Sequence, residues 1–197
     1  MSTVSTLMTT DELLALPDDG MERELIRGQL REREMTRRNR FHAATESQVV
    51  YTLKFYLKHQ ADFEGDVLSG EAGAILAQNP DTTVGIDVAL FSLDVLSRQS
   101  DATRMVAGVP ILAVEILSPT DKHEDTHEKI MEYLRTGVKL VWEIDPDFQT
   151  VRVHRPGHEP VMFNRTQSLT GDDVLPGFQI AVADLFPAWT STAAESK

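Results

Sequence analysis

Apolar residues recur along this chain in two rhythms. From Phe41 to His59 the positions Phe41, Val49, Val50, Leu53, Phe55, Tyr56 and Leu57 fall mostly three or four apart, the period of an amphipathic helix. The same period returns between His123 and Arg135 in Ile130, Met131, Tyr133 and Leu134, with Gly137 placed as a C-terminal cap. Between these helices lie short apolar runs, Val67 to Leu68, Ala74 to Ala77, Val84 to Phe91 and Ile111 to Leu117. They are separated by Gly, Pro, Asn and Asp, the pattern of strands. Strands are again expected at Lys139 to Ile144, Val151 to His154 and Val161 to Phe163, with turns at Asp145-Pro146-Asp147 and Pro156-Gly157.

The chain opens with Thr9-x-x-Glu12, a capping box ahead of Leu13, Leu14 and Leu16, and Pro17-Asp18-Asp19-Gly20 ends that helix. Residues Arg23 to Arg33 alternate around Leu25, Gln29 and Leu30, with Arg27-Gly28 as the turn of a hairpin. The resulting order predicts an α/β protein, a mixed central sheet flanked by helices with an N-terminal helix and hairpin. Residues 9–189 read as one domain, 1–8 as a flexible N-terminus and 190–197 as a disordered tail.

Two carboxylates interrupt this pattern. The strand Val84-Gly85-Ile86-Asp87-Val88-Ala89-Leu90-Phe91 is apolar on both faces and belongs inside the sheet, yet it carries Asp87. Ile111 to Leu117 repeats the anomaly with Glu115. An acid in a buried strand is costly unless it is paired, protonated or metal-bound. A structural ion pair satisfies either residue alone, whereas two together point to a cation. Oxygen ligands suit a hard ion such as magnesium.

Composition narrows the chemistry. The 197 residues contain no Cys, which excludes disulfides, thiolate zinc sites and a cysteine nucleophile. No apolar run approaches the roughly 18 residues of a membrane span, and a cytoplasmic location is expected. Net charge is -12, which on average repels nucleic acid. The stretch from Arg27 to His42 departs from that average. Six Arg (27, 31, 33, 37, 38, 40) against Glu32 and Glu34 make it +4, so the remainder carries -16. This strip alone could meet phosphate, through Arg37, Arg38 and Arg40.

Several of these features occur in one order: Glu22-Arg23-Glu24-Leu25-Ile26-Arg27-Gly28, His42 at a helix start, Gly85-Ile86-Asp87-Val88-Ala89, Val114-Glu115-Ile116-Leu117-Ser118-Pro119, Lys129 to Tyr133 with Gly137, and Leu175-Pro176-Gly177-Phe178. That order resembles the Uma-two-type family of restriction-endonuclease-like proteins, a branch of the PD-(D/E)xK nuclease superfamily. The resemblance implies a restriction-endonuclease-like fold and an endodeoxyribonuclease that uses magnesium, or manganese in its place. Asp87 and Glu115 match the motif acids that hold the metal. Ile86 replaces the motif Pro, and Leu117 replaces the motif Lys. The resemblance offers Lys129 as the replacement cation, whose alternative is a surface pairing with Asp125 four residues earlier. Glu24 and His42 are additional candidates, with a hairpin surface acid and a helix-start residue as their structural alternatives.

Rival readings are a noncatalytic binding protein that keeps the nuclease fold, and a zinc peptidase. The latter rests on His123-Glu124-Asp125-Thr126-His127, an H-E-x-x-H match crowded by charged neighbours, which suits a solvated helix start better than a zinc site. Trp142 and Tyr133 read as core residues. DNA is the expected partner, with no membrane, and a homodimer is compatible with the sequence.

Overall fold

The computed structural model describes residues 7–35, 39–60, 63–100, 104–119 and 121–189. The expected tail at 190–197 and most of the N-terminal segment lie outside them. Helix α1 (Thr10–Leu14) carries the capping box read from the sequence: Glu12 N–H donates to Thr9 Oγ1, and Glu12 accepts from Thr9 N–H at 2.8 Å. Strands β1 (Met21–Ile26) and β2 (Gln29–Glu34) form the hairpin. Its two turn residues, Arg27 and Gly28, have φ of 51° and 74°, the left-handed pair that matches the twist of a two-residue hairpin.

Helix α2 (Arg40–His59) starts at Asn39, whose Oδ1 accepts from Phe41 and His42 N–H. It is followed by β3 (Gly65–Ala77), β4 (Thr82–Ser92), the short α3 (Leu93–Ser97), β5 (Val106–Ala107) and β6 (Leu112–Ile116). Helix α4 (His123–Thr136) ends on Gly137 at φ 109° and leads into β7 (Leu140–Asp145), β8 (Thr150–His154) and β9 (Val161–Asn164). A small hairpin, β10 (Ser168–Gly171) with β11 (Leu175–Ala181), and a 3-10 turn at Val182–Leu185 follow.

The main sheet runs β2-β1-β4-β6-β7-β8-β9, with β3 also pairing β4 and β5. Strand β4 is antiparallel to β6, while β6 and β7 are parallel and joined through α4. Parallel neighbours need such a crossover. The sheet separates two cores. On one side Val49, Leu53 and Tyr56 of α2 pack with Val88, Val114, Trp142 and the β10–β11 hairpin; on the other Ile130 and Tyr133 of α4 pack with Ile86, Ala89, Ala113 and Val141.

The mixed sheet flanked by helices agrees with the sequence reading, and differences are local. The two runs at 67–68 and 74–77 belong to one 13-residue strand. Ser69-Gly70-Glu71 interrupts its apolar pattern without ending it, because a bulge absorbs the break. Helix α3 and the β5, β10 and β11 strands are too short or too polar to stand out from sequence. Among the described residues no helix is long and apolar enough to cross a membrane.

Candidate active site

Asp87 lies where β4 loses its regular alternation. Val88 and Leu90 face the α2 core, whereas Ile86, Ala89 and Phe91 face the α4 core. Opposite this slip β3 pairs Ser69 with Val88 and Ala72 with Ile86, so Gly70 and Glu71 bulge. Both bulge residues have positive φ, 79° and 58°. The bulge brings Glu71 against Gly85, where an added Cβ would stand 2.7 Å from Glu71 Oε2. A side chain at Gly85 would displace the Glu71 carboxylate, and the Gly85 N–H donates to Glu24 Oε1 at 2.9 Å.

The slip aims Asp87 at two neighbours. Its Oδ2 accepts from Ile116 N–H at 2.8 Å, and its Oδ1 stands 3.4 Å from Nε2 of His42. The Asn39 cap places His42 in the first turn of α2, where it is fully buried. Neither ring nitrogen of His42 makes a hydrogen bond, since the Asp87 contact is close but poorly aligned. Such an unmet polar group is expensive to bury and marks a place for a further polar partner.

Glu115 is gripped from α4. Its Oε2 lies 3.2 Å from Lys129 Nζ, and its Oε1 accepts from the Tyr133 hydroxyl at 2.5 Å. Lys129 and Tyr133 sit four residues apart on the buried side of the helix, so one face delivers both groups. Lys129 Nζ is also 3.0 Å from Glu24 Oε1 of β1. Lys129 thus bridges acids from two strands instead of pairing with Asp125 on the surface. Glu24 likewise proves to be an inward-facing acid.

Charge in this cluster is unbalanced. Burial pushes Glu115 up to about 7, with Lys129 opposing and Asp87 reinforcing the rise. Burial would also raise Asp87, but the His42 ring, the Ile116 N–H and Lys129 hold it below the usual carboxylate range. Lys129 loses solvation too, yet Glu115, Glu24 and Asp87 hold its proton more tightly than water does. Burial foremost, then the nearby acids, keeps the Tyr133 hydroxyl protonated well above its ordinary range. Three acids thus surround one ammonium.

Glu24, Asp87, Glu115 and Lys129 line a cleft of about 300 Å³ whose lining also includes Arg33, Lys122 and Asp125. Leu117 is on its wall, where the motif lysine is missing. Among the described residues no three acids or histidines are close enough to share one metal ion. Asp87 and Glu115 nevertheless fit a magnesium ion, which takes one or two protein carboxylates and keeps several waters. Each carboxylate oxygen has lone-pair capacity beyond the contact described, and the cluster has excess negative charge.

Part of the basic strip has acidic partners. Arg27 pairs with Glu132, Arg31 with Glu128 at 2.9 Å and Arg33 with Glu22 at 2.6 Å, so cross-strand and hairpin-to-helix ion pairs neutralise three of its six cations. Arg37 and Arg38 lie outside the described residues. Arg40 begins α2, its guanidinium 4.7 Å from the Phe41 ring centroid and 5.2 Å from that of Trp189. His123 and His127 are exposed at the start of α4, away from the carboxylate cluster. Trp142 is a core residue. Tyr133 has a core ring and a hydroxyl in the site, a double placement that its spacing from Lys129 hinted at.

The family model described as Uma2, putative restriction endonuclease, matches residues 10–183. The structure also resembles a crystal structure of a putative nuclease of the DUF820 group from Anabaena variabilis ATCC 29413. The TM-score is 0.74 at 24% sequence identity, covering 90% of this chain and 97% of that one. That likeness supports the nuclease-type fold. No curated protein matches the chain. With the family pattern spanning the hairpin, both acidic strands and the lysine helix, this chain belongs to the Uma2 family of putative restriction endonucleases.

Proposed function

We propose that the protein is a metal-dependent endodeoxyribonuclease whose reacting centre is formed by Asp87, Glu115 and Lys129. The observation that carries this reading is Lys129 Nζ, held between Glu24 and Glu115 in the cleft that Asp87 also lines. That position supplies the ammonium absent at Leu117.

Asp87 and Glu115 would hold the ion. Bound magnesium supplies a polarised phosphoryl oxygen and a water of lowered pKa. Lys129 remains protonated, so it acts as a fixed positive charge for the oxygens that become more negative in the transition state. Tyr133 fixes the orientation of Glu115 through its short hydrogen bond. Glu24 holds the ammonium from the opposite side, and its Gly85 hydrogen bond prevents it from turning away. His42, buried with Nε2 3.4 Å from Asp87 Oδ1, would back that carboxylate from the α2 side.

The test is nicking of supercoiled plasmid by purified protein with magnesium or manganese. Chelator should stop it, and an identically purified Asp87→Asn variant should be inactive. Nicking unaffected by chelator or by Asp87→Asn would refute the reading. DNA binding without any cleavage would favour a binding protein on a nuclease fold.

A further inference from the structure

The outer face of α2 differs from the rest of this acidic chain. Across Arg40–His59 there are three cations, Arg40, Lys54 and Lys58, and one acid, Glu46, while the chain as a whole carries -12. Glu46 belongs to the inner side, where it accepts from Gly70 N–H, and Lys54 is paired with Asp66. The outer side instead presents rings at four-residue intervals. Tyr51 is 62% exposed and Phe55 55%, with ring centroids 6.2 Å apart, and His59 follows 4.2 Å from Phe55. At the other end Trp189, 50% exposed, lies 5.3 Å from Phe41 in a tilted ring pair, with the Arg40 guanidinium over both rings. Beside Tyr51 and Phe55 runs a groove of about 560 Å³, bounded by Ile180 and Phe186 and carrying one acid, Asp184.

We propose that this face is a track for single-stranded nucleic acid, along which unpaired bases stack on Tyr51, Phe55 and Trp189 while Arg40 and Lys58 meet phosphates. The proposal rests on the nuclease reading in one respect: α2 sets His42 against Asp87 from its buried face, so the helix that would carry the strand also supports the candidate site. Exposed aromatic planes gain little from a duplex, whose base faces are already stacked, but they bind splayed bases of any sequence. Rings embedded among cations are complementary to a chain of bases on a polyanion. Docking a second copy here fits less well. An antiparallel α2 pair would set the Arg40 end of one helix against the Lys58 end of the other, like charge against like.

The full-length protein is titrated against a fluorescent oligothymidylate in chelator, so that no cleavage intervenes, at several salt concentrations. Tyr51→Ala with Phe55→Ala should weaken binding about 100-fold, roughly tenfold per ring, and leave the salt slope unchanged. Lys58→Gln should lower that slope by about 0.7, the value for one phosphate contact on a single strand. Hydrolysis of bis(4-nitrophenyl) phosphate with magnesium should be unchanged in the Tyr51, Phe55 double variant, because both rings are outside the cleft. Failure of the parent to hydrolyse any phosphodiester would sink the nuclease reading while the titration still judges the track. Oligothymidylate binding by the double variant at the parental affinity would overturn the track. So would a parental dimer in sedimentation equilibrium that the double variant dissolves, since the face would then belong to self-association.

Discussion

Lys129 Nζ stands 3.2 Å from Glu115 Oε2 although the two residues are 14 positions apart on different elements. The helix that follows β6 turns back over the sheet and returns an ammonium to the strand just left. A lysine two residues beyond Glu115 would reach the same region directly, and Leu117 occupies that position. In the proposed reading, Lys129 would supply from the helix the charge that Leu117 cannot.

Lys129→Met, which retains most of the stem, should therefore lower plasmid cleavage by roughly 100- to 1000-fold, as expected for loss of one electrostatic stabiliser. It should also destabilise the metal-free protein, since two inward-facing acids lose their shared cation. Magnesium should restore more melting temperature to this variant than to the parent. Cleavage at the parental rate would remove Lys129 from the reaction.

Asp87→Asn and Glu115→Gln should each abolish or strongly weaken magnesium binding in calorimetry while leaving a cooperative thermal transition. Glu115→Gln also removes a charge that burial and Asp87 oppose, so its metal-free melting temperature at pH 8 should be at least that of the parent. Parental magnesium affinity in both variants would place the ion elsewhere.

The raised Glu115 predicts how metal-free stability depends on pH. Its folded value of about 7 exceeds the ordinary 4.5, so its contribution is full below pH 4.5 and is lost as pH rises through 7. That difference corresponds to about 3 kcal/mol as an upper figure. Asp87, held low, contributes in the opposite sense only at acidic pH. Thermal melts in chelator should therefore fall from pH 5 to pH 8, and Glu115→Gln should flatten the decline. An identical slope in that variant would contradict the assignment.

Tyr133→Phe keeps the ring in the α4 core and deletes only the hydrogen bond to Glu115. Loss of such an outer partner should reduce metal affinity or cleavage by about 10- to 100-fold with little change in melting temperature. Unchanged binding and cleavage would make the hydroxyl structural only.

His127→Ala should leave metal content and cleavage at parental values, because His127 is exposed on the first turns of α4. Stoichiometric zinc in protein purified without added metal, lost in this variant, would restore the H-E-x-x-H reading.

Periodicity was sufficient for α2, α4, the first hairpin and the two acidic strands, because each buries one continuous apolar face that recurs at a fixed spacing. It also exposed Asp87 and Glu115, whose charge conflicts with apolar neighbours in the same strand. The family resemblance supplied Glu24, His42 and Lys129, whose sequence surroundings are equally compatible with the surface. What brings Glu24, Asp87, Glu115 and Lys129 to one cleft is tertiary: the bulge at Gly70–Glu71 opposite Asp87, the close packing of Glu71 on Gly85, and the return of α4 over β6. The same packing withdrew Arg27, Arg31 and Arg33 from the basic strip by giving them acidic partners. Local spacing records which face a residue occupies, whereas the partner across that face comes from a distant segment, and its charge decides whether a buried acid is neutralised or left able to bind a cation.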